Sequence, residues 1–274
     1  MIFVYKKWDE FCKKLYKLKR ISIPAKDVEG ESEYLVLKHD VETDVKKAYK
    51  LACIEDKYGH KGTYYVQAYL LDDPTNIEIL TRMQDMGHEI SYHYDVMDSC
   101  KGDLDEAIKE FEENRIKFEK NGFLLKTLCQ HGNPIVDRIG YTSNRDFFRS
   151  EKVRGLYPNL SDIMVNYKEV FSTDYTYFSD AGRRFKMIFD PINNDIINSD
   201  EKNIVFKDLD AVLFSLKEEN YIISVHPHRW TSSAVVYIIK TSFFKIIRFA
   251  AKTLAKIPFI KKFMSKYYYL AKKI

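Results

Sequence analysis

Four short segments of the chain each combine a histidine with other reactive side chains at or just beyond the end of an apolar run. The first, Lys38–Glu42 (KHDVE), closes the run Tyr34–Leu37 and carries a histidine and two carboxylates. The other three segments are Ser91–Asp95, Cys129–Gly132 and Ser224–His228. Imidazole and carboxylate groups are costly to bury unless they bind a metal, a proton or each other. Because α/β folds place their chemistry at the carboxyl ends of strands, the four segments together predict one reactive site.

The segments that join these strand ends have the periodicity of amphipathic helices, and the connections are short. Strands are predicted at 34–38, 61–66, 88–93, 125–130 and 221–225, and helices at 5–19, 44–58, 76–86, 103–120 and 208–219. The region 134–203 is less regular and offers a helical pattern at 141–149 and several short segments. Repeated strand–helix–strand units predict a parallel sheet with crossover helices, in a barrel of seven or eight strands. An open doubly wound sheet is the alternative, although no glycine-rich phosphate loop accompanies it.

The composition is that of a protein that folds. The chain has 274 residues, of which 45% are hydrophobic and 31% are charged, and these values exclude wholesale disorder. The four cysteines form no CxxC pair, which predicts reduced thiols rather than disulfides or a zinc knuckle. The N-terminus has no signal-peptide pattern and no uncharged run has the length of a membrane span, so a cytoplasmic location is predicted.

The charge of the chain changes abruptly near Trp230. From Thr231 to Ile274 there is no acidic residue, whereas lysine and arginine recur throughout. This asymmetry predicts a barrel domain at 1–230 and a basic amphipathic helical tail at 231–274. Apolar residues at helical spacing lie opposite a basic face that contains Lys245, Arg248, Lys252 and Lys256. We expect the tail to contact an anionic membrane, with packing on the barrel as the alternative; no nucleic-acid recognition module is present.

In their order along the chain, these motifs resemble those of a known enzyme family. The segments at 38–42, 61–66 and 87–93 (KHDVE, KGTYYV and GHEISYH), followed by those at 130–134, 178–184 and 225–230, are similar to polysaccharide deacetylases of the NodB-homology type, carbohydrate esterase family four. The resemblance is to a divergent branch with an HDVD-like first motif, associated with surface-polysaccharide gene clusters, and it covers roughly 35–230. It implies a distorted (β/α) barrel, a divalent metal and hydrolytic removal of an acetyl group from a saccharide. The metal implied is usually Zn²⁺, with Co²⁺, Ni²⁺ or Mn²⁺ as alternatives, and no organic cofactor is implied.

The resemblance also implies roles for individual residues. Asp40 matches the general base, His93 the first metal-binding histidine, and His226 the general acid. Two positions depart from the family pattern. Val41 follows Asp40 where a second aspartate is usual, and Met97 occupies the place of the second metal-binding histidine.

A substitute metal ligand is therefore needed, and His131 is the preferred one because imidazole suits zinc. Asp95 and Asp98 are the alternatives, while Glu42 and Asp40 are predicted to supply carboxylates. Further predictions concern substrate binding, and they name Asp180, Arg184, Trp230 and Tyr94. Because the usual second histidine is missing, two other functions stay open. One is a catalytically silent barrel that binds saccharide or scaffolds glycan assembly, and the other is a different metal-dependent hydrolase on a similar barrel.

Overall fold

The computed structural model describes residues 2–133, 136–197, 200–217 and 219–243, and its strands form one sheet. The strands are β1 (Leu35–Val41), β2 (Gly62–Val66), β3 (Glu89–Tyr94), β4 (Thr127–Gln130), β5 (Ser161–Asp162), β6 (Thr176–Ser179), β7 (Phe185–Ile188), β8 (Ile204–Phe206) and β9 (Tyr221–Val225). Their order is β5-β4-β3-β2-β1-β9-β6-β7-β8. Every pairing from β5 to β6 is parallel, whereas β7 pairs antiparallel with both β6 and β8. The predicted α/β class with a mainly parallel sheet is confirmed.

The sheet is rolled into a barrel rather than laid out flat. Tyr175, which precedes β6, donates its hydroxyl to the backbone oxygen of Ile163, which follows β5, at 2.7 Å. These strands stand first and seventh in the sheet order. In a flat sheet they would be separated by about 29 Å, at roughly 4.8 Å per strand. Side chains from distant strands accordingly meet in one interior cluster, which includes Val36, Tyr65 and Cys129.

Helices cover the outside of the barrel and connect the parallel strands. They are α1 (Tyr5–Lys17), α2 (Val45–Asp56), α3 (Pro74–Asp85), α4 (Val96–Ser99), α5 (Leu104–Lys120), α6 (Asp146–Arg149), α7 (Glu151–Leu156), α8 (Tyr167–Val170) and α9 (Leu209–Ser215). A further helix begins at residue 234 and is described as far as 243. Short 3₁₀ turns lie at Ala25–Asp27, Ala68–Asp72, Ala181–Arg183, Asp200–Lys202 and Pro227–Arg229.

Aspartate side chains begin several of these helices. Asp44, Asp73, Asp103 and Asp208 each accept a hydrogen bond from a backbone amide of the first turn. Such caps satisfy amide groups that have no partner within the helix, and each contributes about 1 kcal/mol. Asp44, the first residue of the helix predicted at 44–58, is the cap of α2. Asp44 thus starts α2 directly after β1, and Asp208 starts α9 directly after β8.

The outer face of β1 carries a buried polar cluster that is separate from the barrel interior. Glu55 of α2 lies there without exposed surface, and its carboxylate accepts hydrogen bonds from Trp8 at 2.9 Å and from Tyr64 at 2.8 Å. His39 Nε2 lies 2.9 Å from the same carboxylate, and His88 Nδ1 lies 3.9 Å from it. His39 therefore points away from the barrel interior, and it ties β1 to the helical layer.

The strand that carries the first motif is longer than predicted. The apolar run ends before Lys38, but β1 continues to Val41, because Asp40 and Val41 pair with Tyr65 and Val66 of β2. Lys38, His39 and Asp40 thus lie within the strand, and Glu42 directly follows it. Four strands were not predicted as strands. Of these, β6 and β7 fall on short segments of the less regular region, β5 has only two residues, and β8 is largely exposed. Of the residues 141–149, for which a helix was predicted, only Asp146–Arg149 form one, which is α6.

Candidate metal centre

Strand alternation places two charged residues of β1 inside the barrel. Lys38 is fully buried, and its Nζ forms an ion pair with Asp40 and a hydrogen bond of 3.3 Å with Ser224 Oγ of β9. Burial on its own would raise the pKa of Asp40, but Lys38, His93 and His226 together lower the pKa below its ordinary value. Asp40 is therefore an ionised carboxylate at neutral pH, held by a cation beneath it.

Two histidines from neighbouring strands face each other above this pair. His93 Nδ1 lies 3.0 Å from the backbone oxygen of Cys129, and because a carbonyl only accepts, this nitrogen carries the proton. The other ring nitrogen, Nε2, lies 3.1 Å from Nδ1 of His131. Burial lowers the pKa of His93 to about 4, so its imidazole is neutral at pH 7. A neutral imidazole whose second nitrogen is fixed by a backbone carbonyl is the usual form of a metal-binding histidine.

Glu42 completes a group of donors that fits a divalent metal. Its carboxylate lies 3.6 Å from His131 Nδ1, and one donor atom from each of Glu42, His93 and His131 lies within 4.8 Å of the others. All three residues are buried, and two imidazoles with one carboxylate form a common zinc ligand set. The structure thus brings together three of the four ligands predicted from the sequence, each at least 38 residues from the next along the chain, while the fourth, Asp40, lies in a neighbouring group.

A second group in the part of the chain that the structure describes combines Asp40, His93 and Cys129. It is the weaker donor set, because burial raises the pKa of the Cys129 thiol well above its ordinary value. A protonated thiol is a poor ligand, and Asp40 already has a cationic partner in Lys38. We therefore prefer the group formed by Glu42, His93 and His131.

The position that usually holds the second metal-binding histidine takes no part in the site. Met97 packs in the hydrophobic core outside the barrel. Asp98, one of the alternative ligands, is engaged elsewhere, with Arg138 at 2.8 Å and with the side-chain amide of Asn144 at 2.9 Å. The same Asn144 amide donates to the backbone oxygen of His131 at 2.8 Å. Asp98 thus supports the loop that carries His131.

The late histidine predicted as general acid lies on the opposite side of Asp40. Its Nδ1 lies 2.5 Å from Asp180 Oδ1, and its backbone amide donates to Asp180 Oδ2 at 3.1 Å. Arg229 donates to the same carboxylate at 2.8 Å. Nε2 of His226 is thereby directed toward Asp40 and Glu42, at 3.7 and 3.9 Å. The imidazole of His228 is partly exposed, its Nδ1 lies 4.0 Å from the Glu42 carboxylate, and partial burial lowers its pKa to about 3.

Three of the residues predicted to bind substrate are buried in roles of another kind. Asp180 has no exposed surface, because it orients His226. Trp230 is enclosed by Phe3 and Trp8, and Tyr94 is packed among phenylalanines outside the barrel, so neither ring can stack on a saccharide. These three predictions are wrong for that reason. The other residues predicted for contacts are Arg184, which is exposed, and Lys245, Arg248, Lys252 and Lys256, which lie outside the described residues.

Sequence reasoning missed the role of Lys38. The signal was available in strand periodicity, since residues two apart on a strand share a face and Lys38 stands two before Asp40. Two further histidines, His60 and His88, lie away from the site. Their ring nitrogens bond to the backbone, for example His60 Nδ1 to the amide of Ser22 at 3.1 Å.

No protein-family model and no curated protein sequence matches the chain. Among solved structures, it is similar to a family 4 carbohydrate esterase from Streptomyces lividans, determined in complex with acetate. The sequences are 14% identical, the alignment covers 76% of this chain and 84% of the other, and the TM-score is 0.42. The function proposed below is therefore based on the geometry of the site.

Proposed function

We propose that the protein is a metal-dependent hydrolase that removes an N-acetyl or O-acetyl group from a saccharide. The observation that carries the proposal is the placement of an ionised carboxylate, Asp40, between a metal-binding group and an oriented imidazole, His226. Neighbouring cationic groups lower the pKa of Asp40, so its carboxylate is ionised and can accept a proton. Asp180 orients the ring of His226, so its Nε2 can donate one. A surface polysaccharide or a lipid-linked glycan intermediate is the substrate we propose, in keeping with the motif resemblance.

The residues of the site divide the proposed reaction between them. Glu42, His93 and His131 would hold the metal, which when bound would polarise the acyl carbonyl as a Lewis acid. Asp40 takes a proton from the attacking water as the water oxygen bonds to the carbonyl carbon. The carbon–nitrogen bond then breaks, and His226 gives its Nε2 proton to the departing amine. Acetate and a free amino sugar result, and Asp180 holds the ring of His226 in place during the transfer.

Replacing His131 by alanine is expected to lower both bound metal and acetate release by roughly tenfold or more, because one of three protein ligands is lost. Bound metal would be measured by elemental analysis of purified protein reconstituted with Zn²⁺, Co²⁺, Ni²⁺ or Mn²⁺. Acetate release would be assayed on acetylated oligosaccharides with the same samples.

The matched control is Cys129→Ala, which removes the thiol of the second donor group and leaves Glu42, His93 and His131 in place. It should retain metal, whereas retention in His131→Ala and loss in Cys129→Ala would reverse the ligand assignment. If the wild-type protein binds saccharide, but binds no metal and releases no acetate, it is instead a catalytically silent barrel. One that binds metal without releasing acetate would be a hydrolase of another class.

The described part of the tail supports a proposal of membrane contact. Tyr237 packs on Phe3, which attaches the helix at 234–243 to the barrel. Apolar side chains on other sides of this helix remain open to solvent, with Val235, Ile239 and Phe243 exposed by 64, 63 and 50%. None of the described helices is long and apolar enough to cross a membrane. We propose that the tail lies on the surface of an anionic membrane, at its cytoplasmic face, where a lipid-linked substrate would be reached.

Charge reversal in the tail should therefore release the protein from anionic vesicles. The variant carries four substitutions, Lys245→Glu, Arg248→Glu, Lys252→Glu and Lys256→Glu. We expect the wild-type chain to sediment with phosphatidylserine-containing liposomes, more at low salt than at high salt, and the variant to remain in the supernatant. The control reverses four exposed lysines of the barrel domain, Lys13, Lys17, Lys101 and Lys120. Equal sedimentation of all three proteins would contradict membrane contact by the tail.

A further inference from the structure

A cleft of about 300 Å³ lies on the outer side of the barrel mouth, next to the candidate metal centre. Its walls are the turn after β2, the end of β3 and one side of α5. One contact connects it to the site, because the lining residue Tyr69 donates its hydroxyl to the backbone oxygen of Glu42 at 2.5 Å. Asp95, which also lines the cleft, stands two residues after His93. Tyr69 therefore borders both the cleft and the segment that carries Glu42.

The lining of the cleft has the chemistry of a saccharide site. Gln67 is only 7% exposed, and its side-chain nitrogen has no hydrogen-bond partner among the described residues. A buried donor without a partner is unfavourable, so an acceptor from a ligand would satisfy it. Asn114 adds an amide, which donates to Tyr92 at 2.8 Å, and the half-exposed ring of Tyr69 adds a flat amphipathic surface. Planar amides beside an aromatic ring suit the hydroxyl groups and apolar faces of a sugar.

The charges around the cleft decide which saccharides it accepts. Asp72, Asp95 and Glu110 line it together with Lys117, and the Lys117 ammonium is paired with Asp72 at 2.8 Å. Carboxylates therefore outnumber ammonium groups by three to one. A uronic acid or a phosphorylated sugar would be repelled, whereas a neutral sugar fits and a sugar with an ammonium group is attracted.

We infer that the cleft binds the saccharide unit next to the acetylated one, and that this unit is neutral or carries a free amine. The inference rests on the proposed function and deepens it, because it makes the substrate an oligosaccharide rather than a single sugar. The amine left by one round of the proposed reaction is the group that the cleft attracts. The protein would thus act preferentially beside a unit that has already lost its acetyl group.

The test is titration calorimetry with three tetrasaccharides as probes, composed of N-acetylglucosamine, glucosamine or galacturonic acid. The wild-type protein should bind the glucosamine tetramer most tightly and the galacturonic acid tetramer least. Gln67→Ala should weaken binding of both amino-sugar tetramers about fivefold, the effect of one lost hydrogen bond. Glu110→Gln should weaken the glucosamine tetramer more than the N-acetylglucosamine tetramer, because the variant removes only a charge.

The matched control is Glu106→Gln, an exposed glutamate of α5 outside the cleft, which should bind all three probes as the wild type does. The titrations would be repeated with the His131→Ala variant, so that binding in the cleft is measured apart from the metal. Binding that is lost in Gln67→Ala but accompanied by no acetate release would overturn the proposed function and keep the cleft as a saccharide site. Equal binding by wild type, Gln67→Ala and Glu110→Gln, or tightest binding of the galacturonic acid tetramer, would overturn the inference.

Discussion

Asp40→Asn is expected to lower the rate of acetate release by roughly a hundredfold or more, which is the usual contribution of a general base. The amide that replaces the carboxylate cannot take the proton of the attacking water. The amide oxygen can still accept a hydrogen bond from Lys38, which keeps a polar partner for the buried ammonium. The rate would be measured as kcat on an acetylated oligosaccharide, and bound metal would be measured on the same samples.

The control for this substitution is Asp210→Asn, which makes the same chemical change at a largely exposed residue of α9. It should leave the rate and the metal content as they are in the wild type. If Asp40→Asn loses its metal together with its activity, Asp40 is a ligand rather than the base. Full activity in Asp40→Asn would remove it from the mechanism altogether.

Glu55→Ala is expected to lower the free energy of unfolding by about 2–6 kcal/mol, because it leaves two buried hydrogen-bond donors without a partner, at about 1–3 kcal/mol each. The substitution leaves His39 without its carboxylate, and it leaves the hydrogen-bonding groups of Trp8 and Tyr64 unsatisfied in a dry layer. Urea denaturation at pH 7 would measure the difference. Glu78→Ala, on an exposed glutamate of α3, is the control and should change the unfolding free energy by less than about 0.5 kcal/mol.

The same carboxylate gives the wild type a dependence on pH. Burial would raise the pKa of Glu55, but His39 and His88 and the hydroxyl of Tyr64 lower it below the ordinary value of 4.5. An acid with a depressed pKa in the folded state stabilises the fold above its unfolded pKa and loses this contribution as the pH falls. The difference in stability between wild type and Glu55→Ala should therefore shrink as the pH falls below 4.5. A difference that stayed constant, or a loss below about 1 kcal/mol at pH 7, would contradict the role given to Glu55.

Much of the candidate site could be predicted because strand ends and ligand chemistry are local features of a sequence. Asp40, His93 and His226 each stand at the end of a recognisable strand, and parallel strands bring their carboxyl ends to one edge. His131 could be added because imidazole is a suitable ligand and its own strand end was visible. The fold class followed from the same alternation of strand and helix.

The remaining roles depend on which way a side chain faces, and a sequence without a sheet register does not contain that information. Asp180 and Trp230 lie in loops whose direction is set by the partners they meet, His226 in one case and Phe3 and Trp8 in the other. Tyr94 directly follows His93, and strand alternation turns it outward because β3 extends to Tyr94. The strand was predicted to end at His93, so the direction of the Tyr94 side chain could not be read from the sequence. The short strands β5 and β8 have too few residues for a periodic pattern to appear.

Strand β1 joins the two buried clusters of the molecule, with Asp40 on its inner face and His39 on its outer face. A shift of β1 by one residue against its neighbours would turn every side chain to the opposite face. If the shift brings Asp40 to the place of His39, it would meet the carboxylate of Glu55 in the dry layer, and two anions would stand together without a cation. During folding, this mispaired form of the barrel is thus penalised by electrostatic repulsion at a point distant from the candidate site. The accuracy with which the Asp40 carboxylate is placed is in this way enforced partly from outside the site.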